Sequence, residues 1–411
     1  MEVQVRTLAS PNAIADGRFG ASVSAGPQYV YVGAQAESAT TAAGTFPGAG
    51  RAYIVDPLFG NVIAQLQSLH PSDNGRFSAV GAHPSSAILA VGASLEGSWS
   101  SNQFFQPGRV YIFNASTGAP LPPPLASPSA QQGGCFGYSV AVYRNLVVIG
   151  APGEGSTGTS GDGSGSAYLW NVETAQLVTK YTSPNTQPNG NFGYSVSIIG
   201  DALRHPSAVL IGAPNETSAQ GQAVGAAYIF PLASTQPAAT LQSPHPTPLS
   251  AVTNLGGQFG YSVQLGVGDT GELIAAVGAP TEDVPQCNGA GRAYTFDLAG
   301  NPVLRLFSPN AMPGGYFGAS VAVKAETPAA GKHNEMVVGA PGENNGQLFG
   351  AGNAYAFQCS NGHLIQTLSS PNAQVTGGFA GSAALGTSSL ILGAQGETVH
   401  GLSFAGRAYV R

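Results

Sequence analysis

Charged side chains are scarce in this 411-residue chain and make up only 8% of it. Lysine occurs only at Lys180, Lys324 and Lys332, and the formal net charge is -6. Because phosphate backbones are bound by clustered lysine and arginine side chains, this composition argues against a nucleic-acid partner.

Cysteine and long apolar runs are also scarce. The three cysteines, Cys135, Cys287 and Cys359, are odd in number and far apart, so they indicate neither a disulfide framework nor a metal-binding CxxC pair. No apolar run is long enough for a membrane span. The N-terminal stretch MEVQVRTLAS lacks the basic start and apolar core of a signal peptide, so we expect either an intracellular protein or a domain of a longer one.

Glycine and proline are abundant instead, with 58 and 30 occurrences, and they punctuate a motif that occurs seven times. Each copy begins with a phenylalanine that is usually followed by glycine, at Phe19, Phe77, Phe136, Phe192, Phe259, Phe317 and Phe379. An apolar run then ends in Gly-Ala, with the glycine at Gly33, Gly92, Gly150, Gly212, Gly278, Gly339 and Gly393. A later pattern, G-x-[AV]-Y, ends at Tyr53, Tyr111, Tyr168, Tyr228, Tyr294, Tyr355 and Tyr409.

Each copy is expected to form four short β-strands. The first alternates small and apolar residues, as in YSVAV, and the second is an apolar, β-branched run such as LVVIG. The third contains the tyrosine pattern, and the fourth precedes a turn such as SPN. No copy has a capped stretch with helical periodicity, so the sequence predicts an all-β, seven-bladed β-propeller of four-stranded antiparallel blades.

The two ends of the chain complement each other in this scheme. The last copy stops at its third strand, GRAYVR, whereas VQVRTLASPN before the first copy has the character of a fourth strand. We therefore expect residues 3–10 to complete blade seven and close the ring, which would protect otherwise exposed strand edges. In this interpretation residues 1–411 form a single propeller domain.

The motif resembles the FG-GAP repeat, most clearly in the stretch FGYSVAVYRNLVVIGAP at residues 136–152. With seven copies, the chain resembles the seven-bladed head domain of integrin α subunits and related FG-GAP proteins. The resemblance implies an extracellular or cell-surface module for adhesion or ligand binding. It also implies that ligands meet the face that carries the loops between second and third strands and between fourth and first strands.

The resemblance further implies calcium, which several integrin blades hold in a D-x-D-x-D-G-x-x-D loop between the first and second strands. None of the corresponding loops here supplies three spaced carboxylates, and the nearest approach is Asp269 with Glu272. Calcium takes about six to eight oxygen ligands, usually with several carboxylates among them. We therefore expect no cofactor and regard Asp269 and Glu272 as weak candidates for metal ligands.

One acid is repeated in every copy, three residues after the Gly-Ala alanine, at Glu37, Glu96, Glu154, Glu216, Glu282, Glu343 and Glu397. These acids could form a ring that binds a cation or a basic partner, or they could accept backbone N–H bonds from the glycine-rich turn before each phenylalanine. Arginine follows the glycine of G-x-[AV]-Y in only four copies, so pairing with arginine cannot explain an acid in all seven. A residue in every blade is typical of a scaffold, so we predict a structural role with backbone partners.

The loops between second and third strands break the symmetry and are the predicted ligand-binding surface. The loop of blade two, GSWSSNQFFQPG, contains Trp99, Phe104 and Phe105. Aromatic anchors among polar loop residues are typical of binding surfaces. Phe46 in blade one and Asp283 in blade five are further candidates.

Packing over the blade edges is the alternative for the aromatic residues. Phe46, Phe349 and Phe404 have near-equivalent positions in their loops, which favours packing for these three. Cys287 lies in the loop of blade five without a visible base beside it, so we expect an inert thiol.

These features together predict a binding module for a protein or an extracellular glycan, and not an enzyme. A hydrolase or lyase acting on polysaccharide is the alternative, and it would need paired carboxylates in one pocket. A purely architectural protein of a cell surface is a third interpretation. The seven histidines follow no metal-ligand spacing.

Overall fold

A computed structural model describes residues 5–100, 103–155, 161–200, 206–218, 224–247, 256–328 and 333–411. Within these ranges the side chains of residues 98–100, 103–105, 122 and 206 lie outside the description. The described residues form 32 β-strands and no helix. Seven four-stranded antiparallel sheets account for 28 of these strands, which confirms the predicted all-β fold of seven blades.

The blades are numbered in chain order, and their strands are named by position in the blade. The first strands are β2 (Phe19–Ala25), β8 (Phe77–Gly81), β14 (Ser139–Tyr143), β18 (Ser195–Gly200), β22 (Ser262–Val267), β26 (Ser320–Val323) and β30 (Ser382–Leu385). The second strands are β3 (Val30–Ala34), β9 (Ile88–Ala93), β15 (Leu146–Ala151), β19 (Pro206–Ala213), β23 (Leu273–Ala279), β27 (Glu335–Ala340) and β31 (Leu390–Ala394).

The outer half of each blade contains the third and fourth strands. The third strands are β6 (Arg51–Val55), β12 (Arg109–Asn114), β16 (Ser166–Asn171), β20 (Ala226–Pro231), β24 (Arg292–Asp297), β28 (Asn353–Gln358) and β32 (Arg407–Val410). The fourth strands are β7 (Val62–Leu66), β13 (Pro120–Leu125), β17 (Gln176–Tyr181), β21 (Ala239–Leu241), β25 (Pro302–Leu306), β29 (Leu364–Ser369) and β1 (Arg6–Ala9). Two hairpins extend the loops of blades one and two: β4 (Ala39–Thr41) with β5 (Gly44–Phe46), and β10 (Ser98–Ser100) with β11 (Gln103–Phe105).

The first strands surround a common axis, and the ring is closed. Each first strand contacts that of the next blade, and β30 contacts β2. The N-terminal strand β1 pairs with β32 in the register Arg6↔Val410 to Ala9↔Arg407, so it is the fourth strand of blade seven. The prediction that an N-terminal strand closes the last blade is confirmed.

The Phe-Gly and Gly-Ala parts of the motif meet across the interface between neighbouring blades. A Cβ atom on Gly92 would lie 1.9 Å from the Gly137 oxygen, and one on Gly150 would lie 1.9 Å from the Gly193 oxygen. Only glycine permits such a close backbone approach. The phenylalanine of each copy is buried and packs on the tyrosine of the same copy, with ring centroids 5.4–5.9 Å apart.

The antiparallel order gives the propeller two faces with different connections. The upper face carries the loops between second and third strands and the segments that lead from one blade to the next. The lower face carries the turns between first and second strands and between third and fourth strands.

Candidate functional site

The seven repeated glutamates lie on the upper side of the blades, but they are buried. Their exposed fractions are between 0% and 2%. Each follows the end of a second strand, where its N–H donates to the carbonyl of the Gly-Ala alanine at 3.1–3.3 Å. The carboxylates therefore do not form an exposed acidic ring.

Each glutamate accepts a hydrogen bond from the tyrosine of its own copy. The Tyr Oη to carboxylate distance is 2.5 Å for Tyr111, Tyr168, Tyr228 and Tyr355, and 2.6 Å for Tyr294. Tyr53 and Tyr409 make the same bond to Glu37 and Glu397. This pair is thus complete in all seven blades.

A serine from the preceding inter-blade segment completes the arrangement, which we call the Glu–Tyr–Ser cluster. Its members are Ser10, Ser68, Ser127, Ser183, Ser243, Ser308 and Ser370, and each accepts the N–H two residues further on at 2.9–3.1 Å. In blades two, three and seven, Ser68, Ser127 and Ser370 also donate to the carboxylate. Because the serine follows the fourth strand of one blade and the other two residues belong to the next, each cluster joins neighbouring blades.

The predicted backbone partners of the glutamates are wrong, because the hydroxyl groups of tyrosine and serine donate the bonds instead. The glycine-rich turn has a different role beside the carboxylate. A Cβ atom on Gly134 or Gly190 would lie 3.1 or 2.9 Å from the glutamate Cγ of the same blade. The turn therefore needs glycine for space, and the side-chain hydroxyls provide the hydrogen bonds.

Arginine reaches the acid in two blades. Arg109 Nη1 lies 3.3 Å from Glu96, and Arg407 Nη1 lies 3.3 Å from Glu397. Arg51 donates instead to the carbonyl of Ser38 at 2.7 Å. Arginine therefore contacts the glutamate in some clusters only. This agrees with the sequence, in which all seven copies have the glutamate but only four have the arginine.

Burial raises the pKa of the cluster acids, and the hydroxyl hydrogen bonds oppose that shift. Desolvation is the largest cause of the raised pKa of Glu37, Glu96, Glu154, Glu216, Glu282 and Glu397. The pKa of Glu282 is raised to about 7. Its Oε1 has no hydrogen-bond partner, as is also true of one oxygen of Glu37, Glu216 and Glu343.

The aromatic candidates of blade two lie on the β10–β11 hairpin. Trp99 pairs with Phe104 across the hairpin, and Phe105 pairs with Ser98. The side chains of Trp99, Phe104 and Phe105 lie outside the described residues, so their role stays a prediction.

Phe46 and Asp283 lie on loops of the same upper face. Phe46 is half-buried at the end of β5. Asp283 Oδ1 accepts the N–H of Gly289 at 2.7 Å, and the N–H of Asp283 donates to Thr247 Oγ1 at 2.8 Å. The Asp283 carboxylate thus closes a turn in its own loop, and a role in ligand binding stays a prediction for both residues.

Two phenylalanines that were expected to pack are exposed. Phe349 in the loop of blade six is 66% exposed, and Phe404 in the loop of blade seven is 41% exposed. The packing prediction is therefore wrong for these two residues, although each loop is anchored through its backbone to the segment entering the next blade. The carbonyl of Phe349 accepts the Thr376 N–H at 2.8 Å, and that of Phe404 accepts the Arg18 N–H at 3.0 Å.

Sequence reasoning missed a row of three tyrosines beside the axis. Tyr138, Tyr194 and Tyr261 directly follow the Phe-Gly pair in blades three, four and five. Their ring centroids are 4.9 and 5.0 Å apart, and Tyr138 is 36% exposed. The other four copies have alanine or glycine at this position, and that difference is the sequence feature that could have revealed the row.

The weak metal candidates do not suit calcium. Asp269 accepts the backbone N–H of Asn334 at 2.6 Å and side-chain bonds from His333 at 3.0 Å and Gln358 at 3.2 Å. Glu272 accepts the N–H and hydroxyl of Thr270 at 2.9 and 2.6 Å. Calcium needs converging oxygen atoms, whereas N–H donors surround Asp269. In the described part of the chain, no three histidine, cysteine, aspartate or glutamate side chains are grouped to hold a metal ion.

The fold and its repeated clusters define a class of protein: a seven-bladed β-propeller of four-stranded antiparallel blades. Residues 125–170 match the family described as FG-GAP repeat. This segment runs from the end of β13 into β16 and includes Ser127, Glu154 and Tyr168 of one cluster. Comparison with curated proteins gives no match.

FG-GAP repeats are typical of extracellular proteins, and the resemblance to integrin α heads is consistent with the fold. A propeller of such repeats fits a module of the binding or adhesion type. Among the described residues, no helix is long and apolar enough to cross a membrane.

Proposed function

We propose that the chain is an extracellular or cell-surface adhesion module that recognises its partner through the upper face. The observation that carries this proposal is the exposure of apolar side chains there. Phe349, Val375 and Phe404 are 66%, 53% and 41% exposed. They lie on two successive loops and the segment between them, in blades six and seven. Exposed aromatic side chains of this kind are common anchors at protein interfaces.

A protein partner is favoured over an extracellular glycan. Phenylalanine and valine side chains offer apolar area without hydrogen bonds, whereas a glycan presents mainly hydroxyl groups. The β4–β5 and β10–β11 hairpins lie on the same face in blades one and two and would extend the surface. Trp99, Phe104, Phe105 and Phe46 belong to that extension, and Asp283 lies on the loop of blade five.

We further propose that the chain acts by binding, without catalysis and without a cofactor. The seven repeated glutamates are each buried in a Glu–Tyr–Ser cluster, so they do not provide the accessible pair of acids that a glycosidase mechanism would need. The formal charge of -6 and the small number of lysines weigh against a nucleic-acid partner.

The test compares two faces of one protein. The purified chain is screened against displayed extracellular proteins and a glycan array, and affinities for any ligand are measured with the double variant Phe349→Ser, Phe404→Asn. Asparagine suits position 404 because the backbone φ there is 51°. The control is Phe59→Ser, since Phe59 is 69% exposed on a lower-face turn.

We expect the double variant to weaken binding at least tenfold and the Phe59 control to leave it unchanged. An equal loss in both variants, or no loss in the double variant, would contradict the assignment of the upper face. Binding restricted to the glycan array would replace the protein partner by a glycan.

A further inference from the structure

Asparagine followed by glycine occurs five times in the chain, at Asn74, Asn189, Asn288, Asn345 and Asn361. In this dipeptide the backbone nitrogen of the glycine can attack the side-chain amide carbon of the asparagine, because no side chain on the glycine hinders it. The attack requires that the glycine N–H loses its proton and that the asparagine side chain turns towards the nitrogen. The hydrogen bonds of the five glycines therefore decide which asparagine is reactive.

In four of the five dipeptides the glycine N–H donates a hydrogen bond to an oxygen of the folded chain. The donors and acceptors are Gly75 and Ser72 O at 3.0 Å, Gly190 and Gln187 O at 3.1 Å, Gly362 and Gln358 O at 2.9 Å, and Gly289 and Asp283 Oδ1 at 2.7 Å. A hydrogen bond holds the proton on the nitrogen and fixes the direction of the N–H, so it must break before the nitrogen can attack. The fold therefore protects these four asparagines.

The fifth glycine, Gly346, lies at the tip of a two-residue turn in the loop of blade six. The backbone groups of Asn345 and Leu348 bond to each other on both sides of the turn, each N–H donating to the other carbonyl at 3.1 Å. Gly346 is the first residue between them and has a φ of 59°, which is the place of glycine in a type II′ turn. Among the described residues, no group accepts a hydrogen bond from the Gly346 N–H.

Solvent and the asparagine side chain can both reach this turn. Gly346 is exposed, and a Cβ atom there would meet nothing within 4 Å. Asn345 and Gly346 border a surface cavity of about 540 Å³. The Asn345 carboxamide makes no hydrogen bond to another described residue, so no such bond has to break before it turns towards the glycine nitrogen.

The corresponding loop of blade five shows that exposure alone does not distinguish the reactive asparagine. Asn288 is also exposed. Its glycine, Gly289, matches Gly350 of blade six, and the two N–H groups have equivalent acceptors, Asp283 Oδ1 at 2.7 Å and Asn344 Oδ1 at 3.1 Å. The Asn-Gly dipeptide of blade five thus lies at the anchored end of its loop, whereas that of blade six lies at the turn.

We propose that Asn345 is a site of spontaneous deamidation, the one Asn-Gly dipeptide of the five that the fold leaves reactive. The Gly346 nitrogen gives up its proton and bonds to Asn345 Cγ, while the Cγ–Nδ2 bond breaks and Nδ2 leaves with a proton as ammonia. Water then opens the cyclic imide at either carbonyl and yields aspartate or isoaspartate. The loop gains a negative charge, and isoaspartate also lengthens the backbone of the turn by a methylene group. The reaction consumes only water and does not depend on the proposed adhesion surface.

The test follows all five asparagines in the full chain at pH 8, both folded and in urea. Peptide mapping by mass spectrometry gives the deamidation rate at each position, and electron-based fragmentation separates aspartate from isoaspartate. Asn345→Asp supplies the chromatographic standard for the aspartate product. Asn345→Gln is the unreactive control, since its side chain would have to close a less favourable six-membered ring. Asp283→Ala removes the acceptor of the Gly289 N–H.

We expect Asn345 to react at least about tenfold faster than each of the other four asparagines in the folded chain. In urea all five rates should agree within about threefold, because unfolding removes the protecting hydrogen bonds. Asp283→Ala should raise the Asn288 rate severalfold and leave the Asn345 rate unchanged. If that variant does not fold, the rates of the folded and unfolded wild-type chain decide: they should be similar at Asn345, whereas folding should slow Asn288 strongly.

Two results would overturn the proposal. The first is a rate at Asn345 in the folded chain that is no higher than at the four asparagines with hydrogen-bonded glycines, which includes no deamidation at any of them. The second is an Asn288 rate that stays unchanged in folded Asp283→Ala, because the hydrogen bond of the glycine would then not be what protects the asparagine.

Discussion

Blades three and five contain the same cluster of glutamate, tyrosine and serine, yet their carboxylates are satisfied differently. In blade three, Ser127 donates to one oxygen of Glu154 and Tyr168 donates to the other. In blade five, Tyr294 donates to Glu282 Oε2, and Oε1 has no partner. The Ser243 hydroxyl contacts the Tyr294 hydroxyl instead, at 3.2 Å.

The comparison shows that the repeated motif determines which side chains meet. It does not determine how many hydrogen bonds each carboxylate accepts. A buried carboxylate with donors on both oxygens is well placed to be ionised, whereas one with an empty oxygen favours its protonated form. The pKa of Glu282 at about 7 is consistent with that reasoning. Four predictions use the contrast between the two blades, from the largest expected effect to the smallest.

The largest loss of stability should be the same in blades three and five, because a glycine in each blade makes the same close backbone contact with the next blade. A Cβ atom on Gly150 or on Gly278 would lie 1.9 Å from a backbone oxygen of the next blade, at Gly193 or Gly318. We expect Gly150→Ala and Gly278→Ala each to lower the free energy of unfolding by about 3–5 kcal/mol, measured by urea denaturation. Gly401→Ala is the control, since its Cβ meets nothing within 4 Å and only its φ of 82° opposes alanine; a loss there as large as in Gly150→Ala would contradict the steric explanation.

The pH dependence of stability should come more from blade five than from blade three. The folded pKa of Glu282, about 7, lies above the ordinary value of 4.5. Folding therefore favours the protonated acid, whose contribution is fully present below pH 4.5 and is lost as the pH rises through about 7. We expect this group to lower the free energy of unfolding by roughly 3 kcal/mol across that window.

The measurement is a pH series of urea unfolding for the wild-type chain, Glu282→Gln and Glu154→Gln. Glu282→Gln should flatten the series between pH 4.5 and 8. A slope that persists in Glu282→Gln and disappears in Glu154→Gln would reverse the assignment.

Replacing the cluster glutamate by glutamine should change stability in opposite directions in blades three and five at pH 8. In Glu154→Gln, an amide nitrogen faces a hydroxyl that was donating, so we expect a loss of about 1–2 kcal/mol. In Glu282→Gln, a buried charge with an empty oxygen is removed, so we expect no loss or a small gain in melting temperature. Glu173→Gln, at an exposed turn of blade three, is the matched control and should stay within about 0.5 kcal/mol of wild type.

The smallest difference in stability between the two blades should come from replacing the serine of each cluster by alanine. Ser127→Ala removes a donor to Glu154 and should cost about 1 kcal/mol, whereas Ser243→Ala removes a hydroxyl contact and a turn bond and should cost roughly half as much. Differential scanning calorimetry at one pH compares the two. Equal losses would mean that the turn bond shared by both serines, and not the bond to the acid, determines the effect.

The fold was predictable because the motif repeats in register along the whole chain. Phe136, Gly150 and Tyr168 of one copy have counterparts in the other six, and each marks a fixed place in a blade. The closure by β1 was predictable for the same reason, since the N-terminal segment matches the fourth strand that the last copy lacks.

The site was less predictable because its members come from separate strands of two blades. Glu154, Tyr168 and Ser127 are each visible as repeated residues, but no spacing shows that the three side chains meet. The exposure of Phe349 was not predictable either, because loop composition does not show whether a side chain packs on the blade or faces solvent.

The serine in each cluster comes from the blade before, so every junction in the ring brings together the same three residue types. Each blade contributes a serine to the cluster of its successor, and in blades two, three and seven that serine donates to the glutamate. Exchange of one whole blade for another should therefore keep a glutamate, a tyrosine and a serine at every junction, while the hydrogen bonds of the carboxylate change with its neighbours. Sequence change that would alter binding can therefore accumulate in the loops and turns of a single blade while the ring remains intact.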